Sequence, residues 1–100
     1  KMLCIMGLDV IEEKNLNDVI TYALDYPTMV ISEAKTWPIT NMEDFATGLY
    51  IGHIGGVFFD GFLKRNKRFL DSEEYTDFHA TITKRSTEIK LKIQAHLHKK

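Results

Sequence analysis

The sequence predicts an all-α fold: a small bundle built on a long antiparallel hairpin of two helices, residues 41–66 and 72–98. Three observations predict it. In the glycine-punctuated middle of the chain, Glu43, Thr47, Tyr50, His53, Asp60, Lys64 and Lys67 recur at steps of three, four or seven, one unbroken polar stripe of a helix. From residue 72 onwards, Tyr75, Phe78, Ile82, Ile89, Ile93 and Leu97 trace an apolar stripe at helical period, interrupted at Arg85 and Ser86. Nearer the start, Leu16, Val19, Ile20, Ala23 and Leu24 repeat at the same spacing.

Residues 15–26 form the first amphipathic helix in this reading. Asn15 or Asn17 offers a capping oxygen, Asp18 suits the first turn, and Tyr26-Pro27 ends it, because a residue before proline avoids the helical region. Residues 3–13 could form a preceding helix, with Leu3, Met6, Val10 and Ile11 on one side and Gly7 against it. Residues 28–37 admit a short strand at Met29-Val30-Ile31. Val30, Ala34 and Trp37 at helical spacing, with Pro27 in the first turn, favour a short helix.

Residues 41–66 carry the sharpest conflict. Thr40-x-x-Glu43 resembles a capping box. Against a helix stand Gly48, Gly52, Gly55, Gly56 and Gly61, each costing about 1 kcal/mol relative to alanine. A hairpin turning at Gly55-Gly56 is the rival, but it gives no reason for the polar stripe to run through the turn. For residues 72–98, Asp71 or Ser72 caps and Glu73 and Glu74 suit the first turn. Ile89, Leu91, Ile93, Ala95 and Leu97 also alternate as a strand would, while the abundance of Glu, Lys, Leu, Gln and Ala favours helix. The runner-up fold is therefore α+β, with strands near 28–33, 48–54 and 57–63.

Composition bounds the rest. One hundred residues, 44% of them hydrophobic, suit one domain over 1–100 with a core of its own. Cys4 is the lone cysteine, which excludes an internal disulfide framework. Among Leu3, Ile5 and Met6 it reads as a small core hydrophobe. The opening apolar stretch is too short for a secretion signal, so a soluble, cytoplasmic protein is expected. Residues 1–58 hold three Lys against eight acidic residues, net −5, and residues 59–100 hold ten Lys or Arg against six, net +4. That asymmetry suits packing of the chain on itself or on a second copy and falls short of a nucleic-acid footprint.

Gly48, Gly52 and Gly56 stand at i, i+4 and i+8, so a helix would present a bare groove that another backbone can approach closely, that of an internal helix or of the same segment in a second chain. With Phe58, Phe59 and Phe62 they make the candidate interface of a homodimer. His53 and Asp60 are the strongly polar residues in this apolar run, and an Asp60–His79 hydrogen bond across the hairpin is the expected way to satisfy the carboxylate. A catalytic or metal role for His53, Asp60 and His79 lacks any Glu-x-x-His or His-Glu-x-x-His companion. His96-x-His98 reads as a solvated tail, since residues two apart do not share a helix face.

A membrane span over Phe45–Leu63 is opposed by the charge and polarity of Asp60 and His53. No nucleotide-binding, nucleophile-elbow, Cys-x-x-Cys or kinase signature occurs. The expected function is a non-enzymatic interaction or scaffold module that associates with itself or another protein, with no cofactor and no metal. One alternative is a small-ligand or regulatory domain with a pocket at Trp37, Tyr50, His53 and Asp60. Another is a weak nucleic-acid binder using the basic pairs within Lys64–Arg68 and Lys84-Arg85.

Overall fold

The computed structural model describes residues 7–26 and 28–98. Five helices and no strand occur among them: α1 Val10–Asp25, α2 Thr28–Lys35, α3 Met42–Asn66, α4 Ser72–Lys84 and α5 Ser86–Leu97. The chain is an all-α bundle, and the glycine-rich middle is one continuous helix rather than a hairpin. The expectation that Cys4 is a core residue lies outside the described residues, as do Lys99 and Lys100.

Helix α1 starts five residues earlier than the asparagines suggest. Asp9 is its cap, and the Asp9 carboxylate accepts from the Glu12 N–H at 2.8 Å. Asn15 and Asn17 instead lie within the helix, donating to Glu12 and to the Glu13 carbonyl. Of the apolar side expected for a 3–13 helix, Val10 and Ile11 are exposed and Leu3 and Met6 lie outside the described residues; Glu12 is the buried residue of that turn. Before it, Gly7 takes a left-handed φ of 93° and brings Leu8 N–H to Asp77 on α4 at 2.8 Å. A Cβ on Gly7 would overlap the Asp77 carboxylate, so only glycine fits this turn.

Helix α3 is the axis of the bundle. At 1.5 Å per residue its 25 residues span about 37 Å. Asn41, not Thr40, caps it, accepting from the Asp44 N–H at 3.0 Å. Its buried stripe is Ala46, Tyr50, Ile54, Phe58 and Phe62, spaced by four. Tyr50 therefore belongs to the core and not to the polar stripe: its ring is enclosed, and its hydroxyl donates to the Ala23 carbonyl of α1. Burial, with Asp25 nearby, pushes the Tyr50 phenol up to about 12.

Around α3, helices α1, α2 and α5 pack to enclose Leu16, Ile20, Ile31, Ala34, Ile89 and Ile93. The chain reverses through residues 67–71, where Lys67 caps α3 in the left-handed conformation at φ 60°. Lysine carries a Cβ penalty there that glycine lacks. Lys67→Gly is expected to raise stability by about 0.5–1 kcal/mol in urea unfolding, and an unchanged or lowered midpoint would contradict that reading.

Helix α4 opens with a complete capping box. Asp71 accepts from Glu74 N–H at 2.8 Å, and the Glu74 carboxylate accepts from Asp71 N–H at 2.9 Å. Arg68 holds the same Glu74 carboxylate with both terminal nitrogens at 2.8 Å, keeping it below the usual carboxylate range.

The expected 72–98 helix breaks at Arg85, the point where the apolar stripe is interrupted. There the Arg85 side chain ties the joint to α1, donating to the Asn17 carbonyl and to Thr21, both at 3.2 Å, while Glu88 takes its other face. Past the joint, Ile89 and Ile93 are buried and Leu91 is 60% exposed, so the alternation that imitates a strand has no counterpart in burial.

Candidate interaction face

Position along α3 sorts its side chains into two faces. Residues spaced by four from Ala46 turn inward, which leaves Gly48, Gly52 and Gly56 on the open side. Among the described residues, and apart from each glycine's chain neighbours and the local helix backbone, no atom lies within 4 Å of where a Cβ would stand on any of the three. The fold does not need glycine at these positions.

Gly55 and Gly61 differ. A Cβ on Gly55 would meet Phe59 and Phe78 at 3.5 Å, ordinary contact within the core. On Gly61 it would press to 2.7 Å from the guanidinium of Arg65. That guanidinium crosses to α1, where Nε and a terminal nitrogen reach the Glu12 carboxylate at 3.0 and 2.6 Å, and Asn66 adds a third donor at 2.8 Å. Although burial opposes ionisation, the Arg65 and Asn66 hydrogen bonds hold the Glu12 carboxyl down at about 2.

A groove of about 540 Å³ lies over the bare side, lined by Asp44, Phe45, Gly48, Leu49, Gly52 and His53. It is open and largely apolar, since Phe45 and Leu49 are only half-covered by the rest of the chain. Phe45 and Leu49 are not among the residues expected at the interface, though each lies three residues before a glycine, Gly48 and Gly52, which puts them on that face.

The phenylalanines expected at the interface are divided by the fold. Phe58 and Phe62 point inward and are 1% exposed, so they are core residues and cannot contact a second chain. The reason is that they lie four and eight residues beyond Ile54, which continues the buried stripe. Phe59 is half-buried on the open side, its ring 4.8 Å from Phe78 and 6.0 Å from Tyr75. Phe69 in the reversal stands clear at 75% exposed, and with Phe59, Leu70 and Tyr75 it lines a shallow cleft of about 240 Å³.

The expected polar cluster does not assemble. Asp60 is exposed and takes Lys64, one turn on, at 2.9 Å. His79 sets its ring edge-on against Tyr75, 4.6 Å between centroids. An exposed carboxylate has water and a same-helix lysine, so nothing demands a cross-helix partner. Nor do Trp37, Tyr50, His53 and Asp60 share a pocket: Tyr50 is in the core, and Trp37 is exposed and donates to Glu33 at 2.9 Å.

Of the basic pairs, Lys64, Arg65, Arg68 and Arg85 are engaged by Asp60, Glu12, Glu74 and Glu88. These carboxylates lower the field the cations could offer a phosphate backbone. Among the described residues, no group of three or more His, Cys, Asp or Glu is placed to hold a metal ion. No helix among them is long and apolar enough to cross a membrane. Comparison of the chain with protein-family models, with curated proteins and with solved structures finds no match.

Proposed function

We propose that the chain is a non-enzymatic interaction module that associates with a second copy of itself through the bare face of α3. One observation carries this reading: Gly48, Gly52 and Gly56 weaken the longest helix, and nothing among the described residues makes use of the space they leave. Each gives up about 1 kcal/mol of helix stability relative to alanine. A close helix–helix approach from outside is the arrangement that would return it, because backbone can then pack against backbone where any side chain would hold it off.

Phe45 and Leu49 beside the glycines add apolar surface to the same approach. The lone Cys4 suits a reducing, cytoplasmic setting.

The test is direct because Gly52 is unobstructed among the described residues. Gly52→Leu is expected to preserve helix content by circular dichroism while weakening self-association at least ten-fold in sedimentation velocity. A wild-type chain that sediments as a strict monomer at about 100 μM would end the proposal, a concentration well above the dissociation constants of ordinary stable complexes.

A further inference from the structure

We infer that α4 is a hinged lid on the bundle, turning about Arg85 and the 67–71 reversal to uncover Phe58 and Phe59 of α3 while the other helices stay packed. The inference does not depend on self-association.

The way α4 is held differs from its neighbours. Helices α1, α2 and α5 bring their backbones close to α3, whereas the main backbone approach of α4 is to α5, next to it in the chain. Across to α1, α4 reaches through polar groups at residues 77, 81 and 85, four apart and so in one row. Asp77 accepts from the Leu8 N–H at 2.8 Å, and the Thr81 hydroxyl donates to the Glu13 carboxylate at 2.7 Å. Glu13 and Asp77 are half-buried, so water takes over these bonds once the two helices part. A seam of exchangeable hydrogen bonds therefore opens at lower cost than an apolar one of equal length.

Towards α3 the buried apolar side chains of α4 are Phe78 and Ile82. The Phe78 ring lies over Gly55 and stacks on Phe58 at 5.9 Å, with Phe59 at 4.8 Å. These are the rings an open lid would expose to water.

Both ends of α4 are places where helix already breaks. Lys67 takes its positive φ in the reversal before it, and Arg85 alone separates it from α5, at φ −103° and ψ 10°. Hinges are such short, element-terminal positions, where a change of backbone angle is absorbed. The Arg85 pivot is itself anchored: its guanidinium is held by Asn17 and Thr21 of α1 and by Glu88 of α5. At the far end, Arg68 and the Asp71–Glu74 capping box join the reversal to the first turn of α4, so that end moves as one piece.

Native-state hydrogen exchange on the full chain reads the opening. A detached helix of 13 residues is marginal in water, so its amides exchange whenever the lid is open. Amides of Phe78–Lys84 are expected to exchange at least about 100-fold faster than those of Ile54 and Phe58 in α3 and Ile93 in α5. Equal protection in all three helices would overturn the lid, because α4 would then part only in global unfolding.

Two variants test the seam without touching the apolar side chains of α4. In Gly7→Ala the added methyl displaces the Asp77 carboxylate, and Thr81→Val removes the bond to Glu13. Each is expected to speed exchange in α4 at least about ten-fold, with α3 and α5 unchanged. Acceleration spread evenly over every helix, or none in α4, would overturn the inference.

Discussion

Replacing Gly48, Gly52 and Gly56 together by alanine is expected to stabilise the monomer by about 2–3 kcal/mol, the summed difference in helix propensity. The structure permits this gain in full, since each added methyl enters open space. In a domain of this size such a gain raises the unfolding midpoint by about 10–20 °C. In the proposed dimer the same methyls would stand between two helices meeting at their backbones, so association is expected to be lost. These effects separate by concentration. A self-associating chain unfolds at a temperature that rises with protein concentration, and the triple variant should not. If the triple variant were no more stable than the wild type at low concentration, the claim that the glycines weaken the isolated fold would be wrong.

Glu12→Gln is expected to destabilise the fold by about 2–3 kcal/mol at neutral pH, a loss typical of removing charge-assisted hydrogen bonds from a buried carboxylate. Glu12 is 6% exposed and receives two nitrogens of Arg65 and one of Asn66, which join the start of α1 to the end of α3. Its carboxyl lies near 2 in the folded protein against an ordinary 4.5. The depressed value means that ionised Glu12 favours the folded state. That stability is fully present above about pH 5 and is lost as pH falls towards 2.

The shift corresponds to roughly 3 kcal/mol, reduced somewhat by the solvent that reaches Arg65. Glu74 and Glu88 are lowered by Arg68 and Arg85, so they add acid sensitivity of the same sign. Urea unfolding at several pH values checks the prediction. The wild type should lose stability steeply below pH 5, and the glutamine variant should lose less over that window. Equal stability of the two proteins at pH 7 would show that the Arg65 contact contributes little.

Helix was legible in this chain wherever periodicity was long enough to be unambiguous. The stripe from Tyr75 to Leu97 supports one helix over 72–98, and the structure divides it at Arg85, where the stripe is interrupted. Helix starts are less legible. Asp9, Asn15 and Asn17 are all competent caps, and the choice fell to Asp9 because Glu12 is buried against Arg65, a residue 53 positions away.

The candidate face was half legible. Bare glycines at i, i+4 and i+8 pointed to it, yet three phenylalanines within five residues could not be divided between core and surface by hydrophobicity alone. Phe58 and Phe62 went inward because they extend the stripe of Ile54.

What the sequence by itself determined is the class of structure: helices, their approximate extents and the placing of glycine along one side of the longest. Local periodicity and capping act over a few residues, and that is the range over which sequence speaks clearly. Only the tertiary structure decided which side of α3 is covered, that Tyr50 is a core residue, and that Asp60 and His79 have separate partners. Those outcomes depend on how α1, α2 and α5 share the surface of one helix, and such packing is a property of the whole assembly rather than of any segment.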